Sequence, residues 1–327
     1  MAISLTAVET VFPLAEAFII SRGSRLEARV VTVKISDGVN SGWGECVPYG
    51  RYQETVEGVI DELHGLSSDL KNGLDRKALQ ARLKPGAARN ALDCAFWDME
   101  AKRAGERAHV LAGVPFMGPE ITAYTLSLGA VNSMLQKAKE NAHRPLLKVK
   151  LGGKGDMARL EAVRKGAPNT ALIIDANEGW DLATYQELAP ALLRLGVEMV
   201  EQPFPAGDDD ALLEIERILP VCADESCHDR ASLQALVGKY DMVNIKLDKT
   251  GGLTEALKLR HEAEKAGFKI MVGCMVGSSL GMAPATLVAQ GAAYTDLDGP
   301  LLLAKDRQSP LFYDEKGVYP PNPSLWG

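Results

Sequence analysis

The sequence has few aromatic residues, few cysteines and no long apolar run. Phe, Trp and Tyr make up 6% of its 327 residues. The five cysteines (Cys46, Cys94, Cys222, Cys227 and Cys274) are an odd number without CxxC spacing, which favours reduced thiols over a disulfide framework or a zinc cluster. No stretch approaches the roughly 18 consecutive apolar residues of a membrane-spanning helix. The first residues show no basic segment before an apolar core, so we expect a cytoplasmic protein without a signal peptide.

Excess positive charge is also lacking. Lys and Arg number 36 against 43 Asp and Glu, which gives a formal net charge of −7. That balance excludes a surface built to bind nucleic acid or an anionic membrane. The five histidines share no spacing, so histidine-based zinc chemistry is not indicated. At 46% hydrophobic and 24% charged residues, the composition is typical of a globular enzyme or small-molecule-binding protein.

Two styles of sequence meet near residue 118. The first part combines β-like runs with later helical patterns, which predicts an α+β domain over residues 1–118. Its predicted strands are 3–12, 28–36 and 42–46, and its predicted helices are 53–69, 75–83 and 87–105. From 119 to 300, apolar strands about 25 residues apart alternate with helical segments such as 210–219. The predicted strands are 121–128, 146–151, 171–177, 199–204, 221–226, 242–247, 269–275 and 295–300.

This repeat predicts a (β/α)7β-type barrel, a modified TIM barrel. The pitch alone does not exclude an open doubly wound sheet, but no GxGxxG motif follows a first strand to support one. The proline-containing segment 301–327 is expected to pack back on the first domain.

Charged residues recur at the carboxyl ends of five consecutive predicted strands. They are Lys148, Asp175, Glu201, Asp224 and Lys246. Because active sites of barrels form at the carboxyl ends of their strands, this register predicts that the five side chains meet at the barrel mouth. Three unpaired carboxylates at one place would repel each other unless a cation held them. All-oxygen ligation selects a hard divalent ion, so we expect Asp175, Glu201 and Asp224 to bind Mg²⁺, with Mn²⁺ as a substitute.

The lysines suggest acid–base chemistry. Lys148 and Lys150 are two residues apart on a strand and share its inward face, and Lys246 lies four strands further round. A substrate between Lys150 and Lys246 would have a base on each side. That arrangement suits removal and return of a proton α to a carboxylate, with the metal stabilising the enediolate. A like-charged neighbour and partial desolvation would lower the pKa of such a lysine.

Several short motifs resemble the enolase superfamily, muconate-lactonizing subgroup. They are KVK (148–150), DAN (175–177), VEQP (200–203), ADES (223–226) and NIKLDKTGG (244–252). TDLDGP (295–300) is similar to the DxD segment of the dipeptide epimerases in that subgroup. The resemblance covers nearly the whole chain and implies a capping domain over the barrel. It also implies that Lys150 and Lys246 are the bases, that Lys148 assists, and that Asp175, Glu201 and Asp224 bind Mg²⁺.

Substrate recognition is expected from residues around the mouth. Asp296 and Asp298, two apart on the last predicted strand, share a face and could clamp an ammonium group. The segment 22–25 reads as a flexible basic loop between the first two strands. By the resemblance, an arginine of this loop binds a glutamyl side chain, and Arg22 and Arg25 remain alternatives. Thr125 resembles a substrate-contacting threonine of the family.

The function implied by the resemblance is epimerisation of L-Ala-D-Glu and L-Ala-L-Glu by two-base 1,1-proton transfer, in murein peptide salvage. The expected partner is a small dipeptide, with no nucleic acid and no membrane, and a homo-oligomer is compatible with the sequence. The alternatives within the fold are an N-acylamino-acid racemase and an o-succinylbenzoate synthase, neither of which calls for an ammonium clamp. A Schiff-base aldolase and a non-catalytic, metal-dependent binding protein are alternatives from other classes.

Overall fold

The computed structural model describes residues 2–327 and begins with an antiparallel sheet. Its strands are β1 (Ser4–Ile20), β2 (Gly23–Ser36) and β3 (Ser41–Cys46), in that order. A turn at Asp37–Gly38 joins β2 to β3, and Asp37 Oδ1 accepts hydrogen bonds from the backbone amides of Val39 and Asn40. The expected loop at 22–25 is shorter than predicted. Gly23 and Arg25 already belong to β2, because the β1–β2 hairpin continues to a tight turn at its tip.

Helices cover one face of this sheet. They are α1 (Val56–His64), α2 (Ser67–Lys71), α3 (Arg76–Arg82), α4 (Ala87–Ala104) and α5 (Ala108–Leu111). The long helix α4 is buried over most of its length and packs directly on β3. A Cβ atom at Gly42 or Gly44 would lie 2.0 Å from a backbone oxygen of α4, so both glycines are needed for this close approach.

The second sheet is parallel and contains eight strands among the described residues. They are β4 (Tyr124–Leu126), β5 (Leu146–Lys150), β6 (Ala171–Asp175), β7 (Val197–Glu201), β8 (Val221–Ala223), β9 (Met242–Ile245), β10 (Lys269–Gly273) and β11 (Tyr294–Asp296), each beside the next in sequence. A parallel bridge between Thr122 and Thr295 closes the circle. The predicted barrel is therefore confirmed, and the open doubly wound sheet is excluded.

Helices and turns connect the barrel strands. The helices are α6 (Val131–Glu140), α7 (Asp156–Gly166), α8 (Leu182–Arg194), α9 (Leu233–Leu236), α10 (Leu247–Thr250), α11 (Leu253–Lys265), α12 (Ser279–Met282) and α13 (Ala285–Ala289). The helix predicted over 210–219 was wrong, since only Asp210–Leu213 forms a short 3₁₀ turn. Arg217 NH1 donates to the carbonyl oxygens of Leu212 and Gly238, and these contacts hold the segment in an irregular path.

Apolar side chains fill the barrel below the charged layer. A buried cluster contains Ala123, Leu146, Ile173, Met199, Cys222, Met242 and Met271. Each stands two residues before an inward-facing position at the mouth, such as Met199 before Glu201, because alternate residues of a strand point to the same side. The floor of the barrel is thus closed by packed side chains.

The C-terminal residues return across the molecule. After a small hairpin of β12 (Tyr313–Asp314) and β13 (Gly317–Val318), the chain ends against α4. The indole Nε1 of buried Trp326 donates to the carbonyl oxygen of Cys94, and the amide of Gly327 donates to Asp98 Oδ1. Within the described residues, no helix combines the length and apolarity needed to cross a membrane.

Candidate active site

Three buried carboxylates converge at the mouth of the barrel. Asp175 and Glu201 are the last residues of neighbouring strands β6 and β7 and are paired in register, and Asp224 follows β8 directly. Ligand atoms from the three side chains lie within 4.8 Å of one another. The strand spacing predicted this convergence, and parallel pairing with matched register produces it.

The predicted lysines lie among these carboxylates. Lys148 Nζ is 2.6 Å from Glu201 Oε2 and 3.2 Å from Asp175 Oδ2. Lys150 Nζ donates to Asp175 Oδ2 at 2.5 Å, and Lys246 Nζ donates to Asp224 Oδ2 at 2.6 Å. All three lysine side chains are buried, so each ammonium group depends on carboxylates for its neutralisation.

The electrostatics of the carboxylates are uneven. Burial raises the pKa of Glu201 to about 7, with a further contribution from Asp175. Burial would also raise the pKa of Asp175, but Lys150 and Lys148 outweigh it and lower this pKa to about 2. For Asp224, Lys246 and Lys249 outweigh burial and hold the pKa well below its ordinary value. Glu201 is therefore the carboxylate whose charge the lysines compensate least.

Lys148 and Lys246 do not show the lowered pKa expected from the sequence. Burial favours the neutral amine, but Asp296 and Glu201 outweigh it at Lys148 and raise the pKa well above its ordinary range. Asp224 does the same at Lys246. The sequence suggested that each lysine lies near another ammonium group, whereas in the structure each lies beside one or more carboxylates.

The carboxylate cluster fits a hard cation. Glu201 Oε1 accepts a hydrogen bond of 2.7 Å from Asn244 Nδ2. Its other oxygen, Oε2, is buried and accepts no hydrogen bond of suitable geometry within residues 2–327, although Lys148 lies close by. A buried carboxylate oxygen left in this state, beside two further carboxylates, is the donor set that a divalent cation satisfies.

Three polar residues that contact the carboxylate cluster were not identified from the sequence. Lys249 Nζ is fully buried and donates to both Oδ1 and the carbonyl oxygen of Asp224. Gln202 Oε1 accepts from the amides of Asp224 and Ser226. With Asn244, they orient the carboxylates. All three belong to motifs quoted above, but short motifs do not reveal which side chains reach a neighbouring strand.

Asp296 and Asp298 are both buried, but they do not lie together on a strand as expected. β11 ends at Asp296, and Asp298 precedes the 3₁₀ turn Gly299–Leu302. The amide of Thr125 donates to Asp298 Oδ2 at 2.6 Å, so the predicted threonine contacts the predicted clamp. Burial raises the pKa of Asp298 to about 7, with a contribution from nearby Asp296.

The tip of the β1–β2 hairpin covers the mouth, and its two arginines have different surroundings. Arg22 NH1 donates to Glu178 Oε2 at 3.0 Å, and NH2 donates to Glu225 Oε1 at 2.7 Å. Arg25 lies over the ring of Tyr49, 5.8 Å from its centroid, and has no ion pair within the described part of the chain. Arg25 is therefore the arginine whose charge remains uncompensated.

A small cavity of about 60 Å³ lies beneath the hairpin tip. It is lined by Phe18, Ile20, Arg22, Arg25, Tyr49, Tyr52, Lys150, Asn177, Asp224, Glu225, Lys246, Cys274, Met275 and Val276. A wider space of about 410 Å³ adjoins it on the solvent side and shares Arg22 and Arg25. Thr125, Asp296 and Asp298 are not among the described residues that line the cavity. Both predicted bases and both candidate arginines therefore line one cavity.

Three non-glycine residues beside the carboxylates adopt left-handed backbone conformations. They are Asn177 (φ 47°), Glu178 (φ 64°) and Gln202 (φ 35°). Such a conformation costs an L-residue roughly 1–2 kcal/mol, so the contacts around these loops must hold them in place.

Comparison with known proteins agrees with this architecture. Residues 2–113 match the N-terminal domain of mandelate racemase / muconate lactonizing enzyme, and residues 131–320 match the enolase C-terminal domain-like family. The L-Ala-D/L-Glu epimerase of Escherichia coli strain K12 is 45% identical over 305 residues, which cover 93% of this chain and 95% of that protein. The N-acetyl-D-glutamate racemase of a Pseudoalteromonas species is 44% identical over 301 residues, 91% of this chain and 95% of that protein.

Two solved structures are also similar. One is an enolase family member from Agrobacterium tumefaciens with homology to dipeptide epimerases, with bound sodium and L-Ala-L-Glu (52% identity, TM-score 0.98, 99% of this chain and 100% of that one). The other is the dipeptide epimerase from Enterococcus faecalis V583 complexed with Mg and L-Leu-L-Tyr (28% identity, TM-score 0.90, 98% and 97%). With both family matches, these likenesses show that the chain belongs to the mandelate racemase and muconate-lactonizing proteins of the enolase superfamily.

Proposed function

We propose that this protein is an isomerase that epimerises L-Ala-D-Glu and L-Ala-L-Glu at the glutamyl α-carbon. The observation that carries the proposal is that Lys150 and Lys246 line one cavity while each is hydrogen-bonded to a different carboxylate of the cluster. Two separate amines around one substrate carbon suit removal of a proton from one face and its return to the other.

In the proposed reaction one lysine takes the α-proton and the other donates a proton to the opposite face. Lys148, buried against Glu201 and Asp175, would stabilise negative charge on the substrate carboxylate. Asp175, Glu201 and Asp224 would hold Mg²⁺, or Mn²⁺ as a substitute, which supplies electrostatic stabilisation of that carboxylate. Carboxylates shared with such an ion would hold the lysine protons less tightly, which would make a neutral base accessible.

Recognition of the dipeptide would depend on a pair of aspartates and on one arginine. Asp296 and Asp298 would bind the free ammonium group, with Thr125 holding Asp298 in position. Arg25 would bind the glutamyl side-chain carboxylate, because Arg22 is already paired with Glu178 and Glu225. The proposed partner of the enzyme is thus a small dipeptide.

The setting follows from the same proposal. A cytoplasmic enzyme with this substrate would serve murein peptide salvage. In it, residues 1–118 would form the capping domain, 119–300 the catalytic barrel and 301–327 the return segment. A homo-oligomer remains compatible with this organisation.

Racemisation of an N-acylated glutamate is a second candidate, favoured by the 44% identity to a relative named N-acetyl-D-glutamate racemase. That substrate keeps the side-chain carboxylate for Arg25 but has no ammonium group for the buried aspartates. The two candidates therefore differ at Asp296 and Asp298.

The test is α-proton exchange in D₂O, followed by NMR, with L-Ala-L-Glu, L-Ala-D-Glu and N-acetyl-D-glutamate. We expect exchange and inversion of both dipeptides, lost in EDTA and unaffected by borohydride. Turnover of N-acetyl-D-glutamate alone would support the second candidate. Tight binding of a dipeptide whose α-proton never exchanges would show a binding protein instead. Inactivation by borohydride only with substrate present would point to a Schiff base.

A further inference from the structure

Glu178 joins the capping domain to the barrel at a single side chain. It lies three residues after Asp175, in the loop between β6 and α8. Its Oε2 accepts from Arg22 NH1 at 3.0 Å and from Arg51 Nε at 2.7 Å. Its Oε1 accepts from Arg51 NH2 at 2.5 Å and from the amide of Ala206 at 2.8 Å. One carboxylate thus receives donors from the β1–β2 hairpin, the 3₁₀ turn Gly50–Tyr52 and the barrel.

The adjacent backbone strengthens the connection. The carbonyl oxygen of Asn177 accepts from Ser21 Oγ at 3.0 Å and from Arg22 NH1 at 2.7 Å. The tip of the hairpin therefore docks on the loop that directly follows the carboxylate Asp175. The side chain of Glu178 is only 9% exposed, but Arg22 and Arg51 are 29% and 34% exposed, so salt can still weaken these charge-assisted bonds.

The residue type at this position is informative. Glu178 has φ 64°, a conformation that glycine and asparagine adopt more readily than glutamate. A shorter side chain would suit the backbone better, but it would not reach two arginines and an amide together. The choice of glutamate therefore reflects its side-chain contacts and not its backbone preference.

We propose that Glu178 is a positioning residue that latches the β1–β2 hairpin over the barrel mouth by forming ion pairs with both Arg22 and Arg51. Glu178 and Glu225 together offset two of the three arginines at the mouth, which leaves the charge of Arg25. Given the proposed function, the latch would set the mouth to receive one carboxylate from the substrate. It would do so without touching the reacting atoms.

Hydrogen–deuterium exchange of the intact protein tests the latch without any substrate. The variants are Glu178→Gln, which keeps the shape and removes the charge, and Glu178→Gly, which suits the left-handed backbone and guards against a folding failure. Glu100→Gln is the matched control, because Glu100 forms a comparable ion pair with Arg76 inside the capping domain. We expect faster exchange at residues 15–27 in both Glu178 variants, with residues 4–12 of the same strand unchanged.

Kinetics separate positioning from a general structural role. For L-Ala-L-Glu at low salt, Glu178→Gln should raise KM about tenfold, the scale of one lost charge-assisted contact, and change kcat little. The KM of the parent should rise with salt toward that of the variant, because salt weakens the same ion pairs.

The two proposals can fail separately. If the parent exchanges no dipeptide α-proton, the proposed function fails. Hydrogen–deuterium exchange of the hairpin still tests the latch in that case. Unchanged exchange at 15–27 in both Glu178 variants, or equal changes in Glu100→Gln, would overturn the latch even in an active enzyme. A fall in thermal stability alone, with hairpin exchange and KM unchanged, would also overturn it.

Discussion

Lys148 and Asp296 meet where the barrel closes, with Lys148 Nζ donating to Asp296 Oδ2 at 2.7 Å. The same ammonium group contacts Glu201 and Asp175. Lys148 therefore connects the proposed ammonium clamp to the proposed metal ligands. Loss of charge at the clamp or at the metal ligands should therefore change the electrostatics of the other group through Lys148.

Removing the charge of the clamp should change which substrates are accepted. We predict that Asp298→Asn lowers kcat/KM for L-Ala-L-Glu by roughly 10–100-fold, the scale of a lost charged hydrogen bond. N-acetyl-L-glutamate, which has no ammonium group, should be affected much less. Steady-state kinetics on both substrates measure the difference, with Asp314→Asn on the small C-terminal hairpin as control. Equal losses on both substrates would contradict the clamp.

The same residue predicts a dependence on pH. Burial raises the pKa of Asp298 to about 7, so the side chain loses its negative charge as the pH falls through that value. We expect kcat/KM for free-amino dipeptides to fall between pH 8 and pH 6, because a neutral Asp298 binds ammonium weakly. In Asp298→Asn this component of the profile should be absent. A parent profile identical to that of the variant would show that Asp298 does not titrate in this range.

The two-base proposal predicts a separation of exchange from inversion. Lys150→Ala and Lys246→Ala should each abolish net epimerisation, since every turnover needs both amines. The remaining lysine can still remove and return a proton on its own face, so the variants should exchange α-protons of opposite epimers in D₂O. NMR of each pure epimer measures this. Exchange of the same epimer by both variants, or near-parental epimerisation by either, would refute the two-base reading.

Lys148 differs from the two bases in its expected effect. Lys148→Ala should slow both directions equally, because its charge acts on the carboxylate and not on one face of the carbon. A loss confined to one direction would make Lys148 a base.

The carboxylate cluster predicts opposite effects on affinity and stability. Glu201→Gln should weaken Mg²⁺ binding by about 100-fold or more in calorimetry, because an amide replaces a charged ligand. In EDTA the same variant should melt at a higher temperature than the parent at pH 8, because burial and Asp175 disfavour the charge of Glu201. Glu198→Gln, an exposed position on the same strand, is the control. Undiminished Mg²⁺ binding by Glu201→Gln would remove it from the ligand set.

The barrel and its charged mouth could be predicted because strand spacing is a repeated, local signal. Asp175 and Glu201 are the last residues of neighbouring parallel strands. The register of the strands therefore brings them together, independently of the conformation of the connecting segments. The ion pair of Arg22 with Glu178 left no such signal. These residues are 156 positions apart and Arg22 lies outside the βα repeat, so no periodic pattern relates them.

Other differences arose where side chains override a local pattern. Residues 210–219 are amphipathic enough for a helix, but Arg217 takes the carbonyl oxygen of Leu212 that a helix would use internally. Asp298 seemed to share a strand face with Asp296, yet the strand ends first and a turn brings it to Thr125. A sequence pattern gives the direction of a side chain only while the element continues.

The floor of the barrel is closed by the packed side chains of Met199, Met242, Met271 and their neighbours, so the carboxylates are reached from the mouth. Whatever reaches the carboxylates must pass beneath the hairpin tip, and a dipeptide seated between Lys150 and Lys246 would block that passage. Any cation held by Asp175, Glu201 and Asp224 must therefore arrive before the dipeptide and leave after the product. Under the proposed function, this geometry would set the order of binding, and saturating substrate should protect the bound ion from chelators.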